Sequence, residues 1–303
     1  MPLSNFYIQH EYWFAALQLI SAMFGMGAAL TTRDFLDVAR EPGPAIVGCL
    51  IQVVAVPLAT YFFIVLCGIT GGVFVGLALL AAIPGGSVSN IYTYLARGNA
   101  PLSVAITSVT TVACLVTTPI ILGMMISQYM PIDFQMPAAR IAKEITLYLL
   151  FPLILGMLLL RFWPRMAARV SKYAIRVSLL IIGLIVVGAG SAGRLDTGAF
   201  GLINIGWVCA FSVGLAITGT LFSRLAGVSR RDRIAIDMEI IVRNVNLGLL
   251  IKVLLFPAEV GQTDPLGDFV LFTLLLYGAL QTLTGISLVV FHRFLRSGPE
   301  AAA

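Results

Sequence analysis

The stretch LLAAIPGGSVSNIY, residues 79–92, places polar and helix-breaking residues inside an otherwise apolar run. Pro84 lacks a backbone N–H, and Gly85 and Gly86 are weak helix formers, so the sequence predicts a break in the helix here. Backbone groups freed by a break cannot face hydrocarbon, because the bilayer core offers them no hydrogen-bond partner. The break therefore predicts a polar site enclosed within a membrane protein.

The composition of the whole chain indicates a membrane protein. Hydrophobic residues make up 59% of the 303 residues and charged residues only 11%, whereas a soluble domain carries about 25% charged residues. Apolar runs of spanning length, roughly 17 to 25 residues, recur along the chain. The sequence therefore predicts an all-α polytopic membrane protein, with one transmembrane domain over residues 1–303. The nine predicted spans cover residues 12–30, 44–67, 70–96, 101–127, 141–162, 173–192, 199–224, 230–256 and 266–293.

Basic residues are shared unevenly between the two sides of this predicted bundle. They concentrate in alternate connections and at the C-terminus, at Arg33, Arg40, Arg97, Arg161, Arg165, Arg169, Lys172, Arg224, Arg230, Arg231, Arg233, Arg293 and Arg296. By the positive-inside rule, the N-terminus lies outside and the C-terminus in the cytoplasm. The net charge of +5 is thus interpreted as loop charge in a cell membrane and not as a nucleic-acid surface. Contact of residues 230–233 with anionic lipid is an alternative to a role in orientation.

A second polar interruption lies in IAIDMEIIVRNVNLGLLIK, residues 234–252. Its polar residues ahead of the final lysine are Asp237, Glu239, Arg243, Asn244 and Asn246. Charges at membrane depth cost at least ~2.5 kcal/mol each on insertion scales, so they usually face a cavity and one another. Glu239 and Arg243 are four residues apart and share a helix face. An internal ion pair that only holds two helices in register is the alternative to a functional site.

The two interruptions occupy matching places in two four-span blocks of the chain. The spans that carry them cross the membrane in opposite directions, which predicts an inverted-topology repeat with two broken helices that cross at the bilayer midplane. Half-helix N-termini attract anions there, whereas unwound carbonyls and half-helix C-termini attract cations. The hydroxyl, amide and carboxylate groups of both segments suit a Na⁺ ion. The pattern predicts that the break in the first segment forms half of a combined substrate-and-ion site.

Three segments resemble the bile acid:sodium symporter family. They are FGMGAALTTRDF (24–35), IPGGSVSNIYTYLARGNAPLSVAITSVTTV (83–112) and MEIIVRNVNLG (238–248). The resemblance extends over nearly the whole chain and is most specific at PGGSVSN. It implies a nine-span form of a fold that has ten spans in many bacterial members, and it implies a location in the bacterial inner membrane.

The resemblance implies a first sodium site built from both broken helices and the span after the first break. The family's ligands correspond to Ser89, Asn90, Ser103, Thr107 and Glu239. Ser103 and Thr107 are four residues apart, so one helix face presents both hydroxyls. Hydrogen bonding of these hydroxyls to their own helix is the alternative.

The resemblance also implies a second sodium site that is altered here. Gln52 matches one ligand, and backbone carbonyls near Ile240 and Val242 match others, but Arg243 replaces a glutamine. A guanidinium has five donors and no acceptor, so it cannot bind a cation. Three interpretations of Arg243 stay open. It is a tethered substitute for the second Na⁺ that neutralises Glu239, a bidentate clamp for a substrate carboxylate, or a structural ion pair with Glu239 or Asp237 in a carrier whose sodium dependence is weakened or lost. One transported Na⁺ is therefore favoured over two.

The resemblance points to Ser87, Asn244 and Thr282 as substrate-binding residues, with helix packing as the alternative for Thr282. It implies secondary transport of bile acid-like or pantoate-like acids, in which a core rocks against a panel and exposes the site alternately. The core covers about 44–127, 199–224 and part of 230–293, and the panel covers about 12–30, 141–162 and 173–192. The predicted partners are the organic anion and the lipid bilayer, and the protein is expected to be a monomer or a weak homo-oligomer.

Other function classes are weighed against this prediction. A proton-coupled or sodium-independent carrier of the same fold is the main alternative, because Asp237 and Glu239 are both titratable. The sequence has no HExxH or GxSxG motif, and its two histidines, His10 and His292, lie near opposite ends of the chain, which argues against an enzyme. It has no CxxC motif or Cys/His cluster, so sodium is the only metal expected.

Overall fold

The computed structural model describes residues 3–31, 42–86, 88–127 and 136–295, and these residues form helices joined by short connections. The helices are α1 (Leu3–Gly27), α2 (Pro42–Cys67), α3 (Gly71–Ala82), α4 (Val88–Leu95), α5 (Ala100–Ile126), α6 (Ala138–Phe162), α7 (Pro164–Ser191), α8 (Thr197–Leu225), α9 (Arg230–Ile241), α10 (Val245–Leu255) and α11 (Pro265–Val290). Helix α2 contains a π-helical turn at Ile51–Ala55.

Six of the described helices are long and apolar enough to cross a bilayer. They are Pro42–Cys67, Ala100–Ile126, Ala138–Phe162, Pro164–Ser191, Leu202–Leu225 and Pro265–Arg293. Helices α3 and α10 are apolar but shorter. The chain is therefore a multi-pass, all-α membrane protein, as predicted, whereas the count of nine spans and the inverted repeat remain predictions.

Both predicted helix breaks are present, and they contact each other through their backbones. The Gly86 N–H donates to the Val242 carbonyl at 2.7 Å, and the Asn244 N–H donates to the Pro84 carbonyl at 2.9 Å. Between these bonds, Gly85 and Arg243 form an isolated antiparallel bridge. Each break thus supplies hydrogen-bond partners for backbone groups of the other break, which have no water to bond to inside the membrane.

The two glycines after Pro84 permit this close crossing. A Cβ atom on Gly85 would lie 2.2 Å from the Oε2 atom of Glu239, and one on Gly86 would lie 2.9 Å from the Arg243 carbonyl oxygen. Both distances are shorter than a carbon–oxygen contact allows. The Pro-Gly-Gly sequence therefore ends α3 and leaves room for α9 at the same point.

The broken helices occupy the middle of the bundle. Every residue of α3 from Gly72 to Ala82 is buried, and α3 packs against α2, α5 and α11. Helix α10 is also buried along most of its length and packs against α1 and α11. The outer faces of α2, α7 and α8 carry exposed large apolar side chains, as expected of surfaces that contact lipid.

Candidate sodium and substrate site

The carboxylate of Glu239 is the centre of a buried polar cluster beside the crossing. Glu239 lies on α9 and is fully buried. Its Oε1 atom accepts hydrogen bonds from the hydroxyls of Ser89, on α4, and Ser103, on α5, the latter at 2.5 Å. Its Oε2 atom accepts from the Thr107 hydroxyl at 2.6 Å. Two helices, α4 and α5, therefore direct three hydroxyl groups at one carboxylate.

Further oxygen atoms extend this cluster. The Ser103 Oγ atom is 2.8 Å from Asn90 Oδ1, and Ser89 Oγ is 2.7 Å from the Gly86 carbonyl oxygen. Each serine hydroxyl has one proton, so it cannot donate to both of its neighbours at once. The structure thus brings together all five residues predicted for the first sodium site.

The hydroxyl of Thr93 also belongs to this cluster, although the sequence analysis missed it. Thr93 is fully buried on α4, and its Oγ1 atom donates to Ser103 Oγ at 3.2 Å. It follows Ser89 by four residues, so the two share a helix face. That spacing was the available signal in the sequence.

Local capping fixes the position of Ser103 and Thr107. Asn99 caps α5 by accepting from the Leu102 N–H at 3.2 Å, and its Nδ2 atom donates to Asp232 on α9 at 2.7 Å. The start of α5 is therefore tied to the start of α9. The alternative contact for Thr107 is also present, because its hydroxyl lies 3.0 Å from the Ser103 carbonyl oxygen.

The guanidinium of Arg243 caps the C-terminus of α3. Its Nε atom donates to the Leu80 carbonyl at 2.9 Å, and its Nη2 atom donates to the carbonyls of Ala81 and Ile83 at 2.9 and 2.6 Å. The Ala82 carbonyl accepts from the Thr118 hydroxyl at 2.7 Å. Terminal carbonyls of α3 that have no partner within the helix are thereby satisfied.

Arg243 makes no ion pair in the described part of the chain. No carboxylate oxygen of the described residues lies within 4.0 Å of its nitrogens, and its Nη1 atom has no hydrogen-bond partner among them. The ion pair with Glu239 or Asp237, left open by the sequence, is therefore not formed in this structure. One Asp237 oxygen instead accepts from the Thr220 hydroxyl on α8 at 3.0 Å.

The other residues of the altered second site lie near the end of α3. Gln52 lies in the π-helical turn of α2 and donates to the Thr110 hydroxyl at 3.3 Å, but its buried Oε1 atom has no partner among the described residues. It lines a small cavity with residues 82–84. Ile240 is fully buried, and the Val242 carbonyl already accepts from Gly86.

Two of the three predicted substrate residues fall within the described part of the chain, and their environments differ. Ser87 lies outside the described residues. Asn244 is buried at the second break, where its Oδ1 atom accepts from the Leu247 N–H at 3.3 Å and caps α10. Thr282 is exposed on α11 and its hydroxyl bonds to the Gly278 carbonyl of its own helix at 3.2 Å. Its neighbour Gln281, missed by the sequence analysis, accepts from the Arg243 N–H at 2.8 Å.

Two broken, buried helices that cross beside a polar cluster have the architecture of secondary membrane transporters. The chain belongs to the Sodium Bile acid symporter family, whose model matches residues 16–194. That match includes α4 and α5 of the cluster and ends before Glu239 and Arg243. The resemblance found in the sequence is thereby confirmed.

Relatives of the chain carry transporter names. It is 29% identical over 226 residues to "Uncharacterized sodium-dependent transporter YocS" of Bacillus subtilis, covering 75% of this chain and 69% of the relative. It is 27% identical over 236 residues to "Probable sodium/metabolite cotransporter BASS1, chloroplastic" of Arabidopsis thaliana, covering 77% of this chain and 57% of that one. These names agree with the prediction of a transporter and not an enzyme.

Proposed function

We propose that the protein is a sodium-coupled secondary transporter that carries a small organic anion across the membrane by alternating access. The observation that carries this proposal is the buried oxygen cluster around Glu239. Hydroxyl, amide and carboxylate oxygens from α4, α5 and α9 converge beside two unwound helix ends, the setting in which transporters bind Na⁺. The sodium-dependent names of the relatives support the same ion.

In this proposal, the sodium ligands are the side-chain oxygens of Ser89, Asn90, Ser103, Thr107 and Glu239. When Na⁺ binds, the hydroxyls rotate their protons away from the carboxylate and present lone pairs to the ion. The ion neutralises Glu239, which otherwise is an unpaired buried charge. It also bridges α4 and α9, which pack against each other and belong to the two different broken helices.

Arg243 acts in this proposal as a built-in cation at the altered second site. Its guanidinium occupies the C-terminal end of α3, where the helix dipole favours positive charge, and it bonds the carbonyls available there. Of the three interpretations, a permanent substitute for an ion agrees best with these contacts. Only Nη1 remains for a substrate carboxylate, so a bidentate clamp is disfavoured. One transported Na⁺ follows.

The substrate is proposed to bind at the crossing as an organic anion, such as a bile acid-like or pantoate-like acid. Helices α4 and α10 both begin at the breaks, and their N-terminal ends favour negative charge. Ser87 and Asn244 lie at these two starts in the sequence, whereas Thr282 is the weaker candidate because its hydroxyl bonds within its own helix.

Alternating access is proposed to involve a panel that contains α1, α6 and α7. Helix α1 packs against α6 and α7. Helices α3 and α9 both pack against α5, α8 and α11, and α9 also packs against α4. These contacts support the proposed division into a panel and a core. The same proposal places the protein in a bacterial inner membrane, with its N-terminus outside, as a monomer or weak homo-oligomer.

The decisive experiment is thermal unfolding of the purified protein in Na⁺ and in K⁺ at equal ionic strength. Na⁺ should raise the Tm of the wild type, because it binds only the folded site. Glu239→Ala should abolish that difference. Glu144→Ala, which removes a carboxylate of α6 that accepts a hydrogen bond from Tyr12 on α1, should leave it intact. An equal Tm in both salts, for wild type and Arg243→Gln alike, would reject sodium coupling.

A proton-coupled carrier is the second candidate, and Asp237 favours it. This carboxylate is buried, and its Oδ1 atom has no hydrogen-bond partner among the described residues. If a proton is the coupling ion, the Tm should be the same in Na⁺ and in K⁺. Substrate uptake should then be driven by a pH gradient, and Asp237→Asn should abolish it.

A further inference from the structure

Four charged residues, of which Asp268 is half-buried and the other three are buried, meet near the helix ends on one side of the bundle. They are Glu11 on α1, Arg194 between α7 and α8, Lys252 on α10 and Asp268 on α11. The Glu11 Oε1 atom is 2.8 Å from Arg194 Nη1 and 3.0 Å from Lys252 Nζ. Arg194 Nε also pairs with Asp268. Lys252 is fully buried and Glu11 is 4% exposed.

Stability alone does not explain this cluster. The cost of removing charges from water often exceeds the attraction between them, and well-packed apolar residues are frequently as stable as a buried ion pair. The cluster joins four elements that are far apart in the sequence. Its arrangement is suited to a contact that forms in one conformation and separates in another.

Two more contacts join α1 to α10 between this cluster and the helix break. The Gln18 Nε2 atom donates to Asn246 Oδ1 at 2.7 Å, and Asn244 Nδ2 lies 3.8 Å from the sulfur atom of Met23. The successive contact residues of α1 are Glu11, Gln18 and Met23. Their partners, Lys252, Asn246 and Asn244, follow in decreasing residue number towards the start of α10. The two segments therefore form a continuous antiparallel seam that ends at the crossing.

We propose that this seam is the gate that closes the path to the crossing from the side of the membrane where α1 begins, with the Glu11–Lys252 ion pair as its outermost contact. The inference rests on the proposed alternating access, in which α1 belongs to the panel and α10 to the core. For the site to open to that side, α1 and α10 must separate, and the Gln18–Asn246 bond must break with the ion pair.

The shared position of Glu11 lowers the cost of opening. Its Oε1 atom bonds both Arg194 and Lys252, so Glu11 keeps one cation when Lys252 leaves. Arg194 also pairs with Asp268 on α11, which belongs to the proposed core, so this pair separates when the panel moves away. Lys252 and Asp268 therefore lose their partners as water enters the opened path, and Asp268 is already 22% exposed. The gate thus avoids leaving an uncompensated buried carboxylate, which is the costly outcome.

Side-specific thiol labelling tests the gate without knowledge of the substrate. Ala15 is buried on the face of α1 that carries Glu11 and Gln18, four and three residues away. In a variant with Cys49, Cys67, Cys114 and Cys209 replaced by alanine, Ala15→Cys is the reporter. An impermeant maleimide is applied to oriented vesicles from the side where α1 begins, in Na⁺ and in K⁺.

Lys252→Met keeps the length of the side chain and removes its charge. It should raise the labelling rate of the reporter from that side by roughly tenfold, the population change that ~1.4 kcal/mol produces. Glu259→Gln, an exposed carboxylate in the loop between α10 and α11, should leave the rate unchanged. Equal rates in Lys252→Met and wild type would overturn the gate.

A second variant keeps the test decisive if Lys252→Met does not fold. Asn246→Leu removes the inner contact without touching a charge, and it should also accelerate labelling from that side. Unchanged labelling in this variant would likewise contradict the proposal. The Tm in Na⁺ and K⁺ is measured on the same samples, so loss of sodium binding is seen separately from loss of the gate.

Discussion

The guanidinium of Arg243 donates to the carbonyl oxygen of Ile83, 2.6 Å away, across the crossing of the two broken helices. This bond joins the segment after α9 to the end of α3 by a fixed positive charge. The fixed charge and the cluster around Glu239 are separate, because no carboxylate of the described residues pairs with Arg243. The crossing therefore places a permanent cation beside the cluster proposed to bind sodium.

Replacing Arg243 should destabilise the protein according to how many α3 carbonyls lose their donor. We expect the Tm in K⁺ to fall in the order wild type, Arg243→Lys, Arg243→Met, because lysine keeps the charge and methionine keeps neither charge nor donors. Each unsatisfied buried carbonyl costs about 1–3 kcal/mol. Arg224→Met, at an exposed position at the end of α8, is the matched control and should change the Tm little. A Tm for Arg243→Met equal to that of wild type would show that the capping bonds contribute nothing.

The Glu239 carboxylate should be required for sodium binding even when its shape is kept. Glu239→Gln retains an oxygen acceptor but removes the negative charge that pairs with the ion. We expect the Na⁺ concentration that gives half of the Tm increase to rise at least tenfold, a loss of about 1.4 kcal/mol. A sodium titration of Tm for Glu239→Gln beside Glu144→Gln measures this. An unchanged titration midpoint would place the ion elsewhere.

Gly85 and Gly123 should respond in opposite ways to the same substitution. Gly85→Ala places a Cβ atom 2.2 Å from Glu239 Oε2, so we expect loss of at least 1–3 kcal/mol and of the sodium response. Gly123 lies within α5, and its Cβ would meet nothing within 4 Å. Gly123→Ala should therefore leave the Tm unchanged or raise it, by up to about 1 kcal/mol of stability. Thermal unfolding and circular dichroism of both variants test the pair, and equal effects would refute the steric argument.

Thr93 should contribute to the sodium site although it does not touch Glu239. Thr93→Val keeps the size of the side chain and removes the hydroxyl that donates to Ser103 at 3.2 Å. Losing one neutral hydrogen bond costs about 0.5–1.5 kcal/mol, so the sodium titration midpoint should rise roughly two- to tenfold. Thr146→Val removes a hydroxyl that bonds only to its own helix, on an exposed face of α6, and provides the control. Identical midpoints for the two variants would exclude Thr93 from the site.

Local sequence chemistry predicted the two breaks, and the family resemblance predicted five members of the Glu239 cluster. Proline and glycine disrupt a helix wherever they occur, so Pro84, Gly85 and Gly86 signalled the first break without knowledge of the surroundings. The resemblance to a family then related Ser89 to Glu239 across 150 residues. Their convergence is observed, whereas their role as sodium ligands remains a prediction.

Contacts between distant, individually ordinary residues were not predictable in this way. The sequence shows Lys252 at a helix end and Glu11 near the N-terminus, and nothing local relates one to the other. Gln281 was missed in favour of its neighbour Thr282, because one residue of helical rotation decides which side chain faces the crossing. The partners of Arg243 were also hidden, since they are backbone carbonyls and carry no residue-specific signal.

The bridge between Gly85 and Arg243 is made by main-chain groups. The hydrogen-bonding geometry of this bridge does not depend on which side chains line the crossing, provided that positions 85 and 86 remain glycine. Substitutions around the site can therefore change the transported substrate during evolution while the backbone geometry of the crossing is retained. Relatives less than one-third identical to this chain are the expected product of such divergence.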